Sequence, residues 1–419
     1  LPNLWPYLHL DRVIMQSQLI RSYPVDKPSV SYESMLKILE GTAKAITNFL
    51  DKERPDALVI SVVGSVGSSL LYHIAKKKGI RTINIDLTRI KNGIAFSEDY
   101  RTFSWVDKIF EELQNGKISS YKNEAEEFIR AFRAKPAPYH DHARPDYNNQ
   151  VQRTANLRFL KPKNFLLSVI WHLKTIVKEI RKKHSDYTDI KIWNEIYDKF
   201  MRKIRGLIGY KDLWEEIVPN ESFVFYPLHY EPEIAISLYA PHYANQRELI
   251  RQAARALPVG MYLYVKEHPA MVGYRERSFY KEIKKIPNVR LINPSYYGHR
   301  LSKEAKIIIT ITSTAGWEGA LFGKPVITFG DIYYNRLPTV RRCKSFEELP
   351  LLVKTLLEKN ISNEKSLVNY LAALIEDSVK VDYIDLWSKA ETDEEILNND
   401  GIKEMARLLA NKIKSLSAV

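Results

Sequence analysis

The sequence predicts an α/β chain: two Rossmann-like, doubly wound units facing a cleft, a basic helical insertion between them, and a helical tail. Three observations carry this prediction. Short runs rich in Val and Ile fall in two separate stretches, each alternating with helical patterns. Between those stretches the apolar spacing is helical and the polar positions are mostly Lys and Arg. The chain also has 419 residues with 45% hydrophobic content, enough for two ordinary cores. The resulting division is an N-terminal unit over 1–150, a connector over 151–215, a second unit over 216–345, and helices over 346–419.

The chain opens with Leu1 and a segment rich in Pro and aromatics, so the expectation is that leading residues, and with them a first strand, are missing. Apolar residues at helical spacing (Met35, Leu39, Ala43, Ile46, Leu50) predict a helix over Ser31–Leu50. Ala57–Val63 is a compact apolar run suited to a buried parallel strand. It enters a turn over Gly64–Ser69, a helix through Lys78, a stop at Gly79 and a second strand over Thr82–Asp86, which together form a βαβ unit. Gly64 and Gly67 do not complete a G-x-G-x-x-G or phosphate-loop pattern, so a tight turn is the favoured reading of both.

Residues 134–152 form a loop rich in Pro, His and Asn. From Arg153 to Tyr210 the pattern is helical and basic, with Lys161, Lys163, Lys174, Lys199 and Arg202 interleaved with Phe165, Leu166, Ile170 and Trp171. A basic amphipathic helix of this kind suits the surface of an anionic membrane, here over 153–205. The alternative is an interdomain helix with one solvated face and an apolar stripe in the core.

The second unit reads as strands Phe223–Pro227, Met261–Val265, Val289–Ile292, Ile307–Ile311 and Pro325–Phe329. Helices are expected over Asn245–Leu257, near Arg277–Ile286 and from about Gly316. The tail contains helical patterns at Phe346–Leu357 and Ile402–Ile413.

Composition narrows the function. No apolar run reaches the roughly 18–20 residues needed to span a bilayer, and no secretory signal pattern leads the chain. The single cysteine, Cys343, excludes an intramolecular disulfide or a cysteine-rich zinc site and suits a reducing cytoplasm. The expected location is therefore the cytoplasm, at the inner face of the cell membrane. A net charge of +13 calls for an anionic partner. Nucleic acid is not that partner, because no zinc-finger, RNP or basic-zipper pattern occurs.

Three segments offer chemistry. In Thr310–Val326 a buried strand ends in hydroxyl residues and a Gly, then opens a helix. Free N–H groups there, with the hydroxyls of Ser313 and Thr314, suit a phosphate. Glu318, expected in the first turn, suits a ribose hydroxyl. Ser and Thr are also ordinary helix caps, and Gly316 also has a plain packing explanation. In Val265–Pro269, His268 follows a strand and faces the cleft as a phosphate hydrogen-bond donor or general acid. Lys266 adds positive charge to that rim, with Glu267 beside it. In Tyr226–Glu233, His229, Glu231 and Glu233 cluster in a loop. Their spacing matches no standard metal site, so hydrogen bonding is the favoured role and no metal is assigned.

Taken in order, Tyr-Pro-Leu-His-x-Glu-Pro-Glu (226–233), Val-Lys-Glu-His-Pro (265–269) and Thr-Ser-Thr-x-Gly-x-Glu-Gly-Ala-Leu-x-Gly-Lys-Pro-Val (312–326) resemble the capsular polysaccharide biosynthesis family, which includes transferases of the acidic sugar Kdo. The histidine–proline element followed by a hydroxyl pair is also similar to sialyl- and polysialyltransferases. The resemblance is densest over Phe223–Asp331. It implies a GT-B glycosyltransferase that takes a nucleotide-activated sugar as donor, a CMP-sugar favoured, and a surface polysaccharide or lipid-linked acceptor. It implies no cofactor and no metal. By this resemblance His268 contacts the donor phosphate or protonates the leaving group, and Ser313 and Thr314 hold that phosphate. His229, Glu233, Lys266, Glu267, Gly316 and Glu318 complete the donor side. Gly64, Ser65, Asp86 and Arg89 belong to the acceptor side. His229 and Glu233 stand where the family often carries Gln and Asp. Two other enzyme readings use the same fold: a nucleotide-sugar epimerase and a polyol-phosphate polymer transferase. A third reading is a non-catalytic polysaccharide-binding or export partner.

Overall fold

The structure, a computed structural model, describes residues 31–90, 92–137, 161–181, 192–231, 233–358, 363–381 and 393–417. The expected missing first strand and most of the Pro- and His-rich loop fall outside these residues.

In the N-terminal unit the expected βαβ is present. Ser31 caps helix α1 (Tyr32–Glu53), whose Met35, Leu39 and Leu50 pack on Val66, Leu70 and Ile74 of helix α2 (Val66–Lys77). Strands β1 (Ala57–Ile60) and β2 (Arg81–Leu87) pair in parallel, Ala57 opposite Arg81. An antiparallel strand not expected from sequence, β3 (Gly93–Ser97), then pairs with β2. Helices α3 (Ser104–Gln114) and α4 (Lys122–Ala134) follow. The basic connector folds as α5 (Pro162–Ile180) and α6 (Ile192–Ile208).

The second unit is a six-stranded parallel sheet of β4 (Phe223–Pro227), β5 (Tyr262–Lys266), β6 (Val289–Ile292), β7 (Ile307–Thr310), β8 (Val326–Thr328) and β9 (Val340–Arg342). Its order is β6-β5-β4-β7-β8-β9, so the direction of winding reverses between β4 and β7. Period-two alternation explains why both faces are buried. Phe223, Phe225, Tyr264 and Ile308 enter one core, and Val224, Tyr226, Val265 and Ile309 enter the other. The second core is covered by α7 (Gln246–Arg255), α8 (Arg277–Lys284) and, from the tail, Leu349, Val353 and Leu356. The first core is covered by α9 (Gly298–Glu304) and α10 (Thr314–Leu321). Phe110 of α3 and Ile129 of α4 join that same core, so the two units share apolar packing.

The tail differs from the helices-only expectation. Helices α11 (Leu349–Glu358) and α12 (Glu364–Glu376) are followed by β10 (Ser378–Lys380), which pairs antiparallel with β3 and becomes the edge of the N-terminal sheet. After the short α13 (Asp393–Asn398), helix α14 (Asp400–Ser417) lays Met405, Leu408 and Leu409 against Ile83, Phe96 and Trp105. A three-residue strand is too short to show an alternating pattern, which is why the sequence hides it.

Candidate active site

The candidate residues gather at the carboxyl ends of β4, β5 and β7, around the reversal point where open α/β sheets form their crevice. His229, just after β4, bridges this point. Its Nε2 accepts from the Thr312 N–H at 3.2 Å and lies 3.3 Å from the Thr310 hydroxyl, both beyond or at the end of β7. An Nε2 that accepts from an N–H puts the proton of the neutral ring on Nδ1. Among the described residues that Nδ1 has no hydrogen-bond partner. Burial, reinforced by Arg275, pushes the His229 pKa down to about 3. The ring is therefore a neutral brace between two strand ends.

Beneath the loop lies a buried ionic network that the sequence did not announce. Arg275 is fully buried, pairs with Glu267, donates to the His229 carbonyl at 2.6 Å and sits 3.3 Å from Glu231. Tyr280 donates to Glu267 at 2.6 Å, and the Gln246 amide donates to Glu231 at 2.5 Å. Glu267 also accepts from the His268 N–H at 2.6 Å. Two expectations are corrected here. Glu267 is fully buried and has its oxygens engaged by protein donors, so it positions the His268 backbone rather than touching a donor sugar. Lys266 is buried too, not on the rim, because the strand's alternation turns it into the fold. Burial lowers its pKa to about 8 against the pull of Glu267 and Glu318.

His268 itself opens to the cleft, its ring edge-on to Tyr230 at 5.8 Å. Surrounding protein, then Lys266 and Arg275, lowers its pKa to about 4. At neutral pH it is a neutral imidazole that can donate one hydrogen bond, and a bound phosphate beside it would raise its pKa.

On the β7 side Ser313 caps α10, its hydroxyl accepting from the Ala315 N–H at 3.1 Å, while Thr314 is exposed. Gly316 has a packing reason: a Cβ there would meet the Tyr334 hydroxyl at 2.5 Å, and that hydroxyl donates to the Ser313 carbonyl at 2.6 Å. The helix starts at Thr314, so Glu318 lies in the second turn rather than the first, and it pairs with His299 at 3.2 Å. Burial works against protonating His299, yet Glu318 outweighs it and holds the His299 pKa above its usual value.

The N-terminal unit supplies the opposite wall. Gly64 permits close approach: a Cβ there would lie 2.4 Å from Ile234 Cδ1. Ser65 is an N-cap, closing a reciprocal capping box with Ser68 on α2. Arg89 adopts a left-handed φ of 60°, pairs with Asp86 at 3.0 Å and stacks 5.4 Å from the Tyr333 ring of the second unit. Across from it, Glu233 is open to solvent at its position before a single helical turn, yet protein surrounds it on most sides. That desolvation raises its pKa to about 7, against the pull of Arg89. Of the predicted site residues, contacts thus join His229 to Thr310 and Thr312 next to Ser313, and join Arg89 to Asp86, to Tyr333 and, through its charge, to Glu233. Arg275, Gln246, Tyr280, Tyr333 and Tyr334 were missed, and only the acidic residues immediately after apolar strands hinted that a buried cation would be needed. Further contacts tie the walls: Arg336 donates to Asp107 at 2.9 Å, Tyr239 donates to the Tyr100 carbonyl at 3.3 Å, and Asp331 lies 3.6 Å from Arg101.

Among known proteins, the chain is similar to protein FixF of Sinorhizobium fredii (strain NBRC 101917 / NGR234), at 33% identity over 117 residues. That match spans 27% of this chain and 28% of the relative's length. Among solved structures it is similar to the KpsC β-Kdo 2,4 transferase of Thermosulfurimonas dismutans, at 17% identity and TM-score 0.40, covering 76% of this chain and 79% of that one. It is also similar to the MnaA–UDP co-structure of S. aureus, at 13% identity and TM-score 0.31, covering 86% and 84%. Residues 176–338, which carry the six-stranded sheet up to β8 and all three loops on the His229, His268 and Ser313 side of the crevice, match the capsule polysaccharide biosynthesis protein family.

Proposed function

We propose that the chain is a glycosyltransferase that moves a sugar from a nucleotide-activated donor, a CMP-sugar, to a surface polysaccharide or lipid-linked acceptor, without a metal, at the cytoplasmic face of the cell membrane. What supports the reading is that a capped helix start (Ser313, Thr314), a neutral histidine (His268) and a carboxyl group with a pKa of about 7 (Glu233) each follow the carboxyl end of a strand around the reversal point of the sheet. In this reading the α10 start and the Thr314 hydroxyl receive the donor phosphate, and His268 donates a hydrogen bond to it. Glu233, half ionised near neutrality and facing Arg89, is the group suited to take the proton of the acceptor hydroxyl. Asp86 and Arg89 position that acceptor from the opposite wall. His229 and the Arg275 network hold the geometry without touching substrate.

The test is a thermal-shift titration with CMP, UDP, GDP, ADP and dTDP, each with and without EDTA, since a ligand of the folded state raises the midpoint by mass action. Stabilisation by CMP that EDTA leaves intact, and that Thr314→Ala or His268→Ala weakens, supports the reading. A response to UDP alone moves the donor class. No response to any nucleotide refutes it.

A further inference from the structure

Helix α5 is folded with its polar side inward. Its less exposed positions are Asn164, Ser168, His172, Thr175 and Ile176, a stripe at three- and four-residue spacing and polar at four places. That side meets α6, where Lys203 donates to the Ser168 hydroxyl at 3.3 Å and the Lys199 ammonium lies 3.2 Å from the neighbouring Trp171 ring. Phe165, Leu166, Leu167, Leu173, Val177 and Ile180 point outward instead, with Leu166 59% and Ile180 79% exposed. A helix on the surface of a water-soluble domain has the opposite arrangement. On α6, Trp193 and Phe200 are likewise exposed.

We propose that the α5–α6 pair lies in the headgroup layer of an anionic lipid bilayer, with the outward side of α5 at the acyl boundary. Charge selects this occupant. Residues 161–181 carry Lys161, Lys163, Lys174, Lys178 and Arg181 against one carboxylate, Glu179. A second copy of the chain would set like charges against each other, whereas anionic headgroups neutralise them while lipid covers the apolar side chains. The pair lies on the bilayer rather than through it: among the described residues no helix is long and apolar enough to cross a membrane. The attachment also reaches the crevice. Arg205 of α6 donates to the Tyr274 carbonyl at 2.7 Å, Arg202 stacks 4.4 Å from the Tyr274 ring, and Arg275 follows in the chain. A bilayer-bound α6 therefore holds the crevice at a set orientation to the lipid surface. This inference rests on the membrane-face part of the proposed function, and flotation tests it separately from nucleotide binding.

The experiment is vesicle flotation of the full chain with phosphatidylcholine alone and with about 30 mol% phosphatidylglycerol, the anionic fraction setting the surface potential. The expected result is co-flotation with the anionic vesicles only. Phe165→Ser/Leu166→Ser/Leu173→Ser should weaken it about tenfold or more through lost apolar insertion. Lys163→Gln/Lys174→Gln should weaken it by about fivefold per lysine, with added salt acting likewise. Circular dichroism and an unchanged unfolding midpoint verify that both variants fold. Absence of flotation with anionic vesicles, equal flotation with both compositions, or flotation indifferent to both variants overturns the proposal. So does light scattering that shows a dimer which the triple serine variant dissociates, since the occupant would then be a second copy.

Discussion

Replacing Arg275 by Met tests the network under the candidate site most directly. Methionine keeps the length and apolar stem of the side chain but removes the cation that Glu267, Glu231 and the His229 carbonyl share. Arg275 and Glu267 are fully buried and Glu231 nearly so, so water cannot replace the lost partner. Removing one member of a buried ion pair typically costs about 3–5 kcal/mol, because the remaining charge stays desolvated. Set against a typical folding stability of about 5–15 kcal/mol, that is a large fraction. Urea unfolding followed by circular dichroism should show a lower midpoint at an unchanged slope. One further sign belongs to this mechanism. Adding Glu267→Gln should recover part of the loss, giving a coupling of about 1 kcal/mol or more between the two positions. A cost below about 1 kcal/mol, or strictly additive single and double variants, would refute the network as the support of the loop.

His229 makes a pH-dependent contribution to stability. Its folded pKa of about 3 lies below an unfolded value of about 6.5, so the unfolded chain takes up the proton first, and stability present above pH 6.5 is lost on acidification. Between pH 7 and 5 this one group should remove about 2 kcal/mol, and His229→Gln should flatten the slope by that amount in urea unfolding at the two pH values. Equal slopes in the two proteins count against it. At the domain contact, Gly64→Ala should cost about 1 kcal/mol by overpacking against Ile234, and Ile234→Val, which deletes the Cδ1 atom 2.4 Å from the added methyl, should restore the thermal midpoint. If the double variant is no better than the single, the contact is not the cause.

Much of the six-stranded sheet was legible because strands buried on both faces read as unbroken apolar runs, as at Ile307–Ile311. Strand β9 lacked that signature: Val340–Arg342 carries two exposed arginines after one buried valine. Strand β3 lies only a few residues beyond β2 and follows a turn held by Thr88, whose hydroxyl lies 3.1 Å from the Gly93 carbonyl, so its start is set by tertiary pairing rather than by composition. The strand-end positions of His229, His268 and Ser313 followed directly from the element order. Their chemistry did not. Whether Glu267 faces the cleft or the interior depends on Arg275 and Tyr280, which come from another loop and helix, and a buried arginine leaves no trace in hydrophobic periodicity. The raised pKa of Glu233 likewise comes from burial by the folded protein, against the pull of Arg89, and no local sequence signal reports it.

The return of β10 to the N-terminal sheet bears on how the chain can be made. Strand β3 ends at Ser97 and its partner begins at Ser378, so about two-thirds of the chain is synthesised between the two halves of one ladder. Until then the β3 edge presents unpaired N–H and C=O groups, and Ile83 and Phe96 lack the cover that α14 brings. The six-stranded sheet is complete by Arg342, so it can close before the unit that precedes it in sequence. Loop-closure entropy makes such a late, distant pairing slow. A nascent chain paused before Ser378 should therefore carry a folded second unit and a first unit that proteases still open.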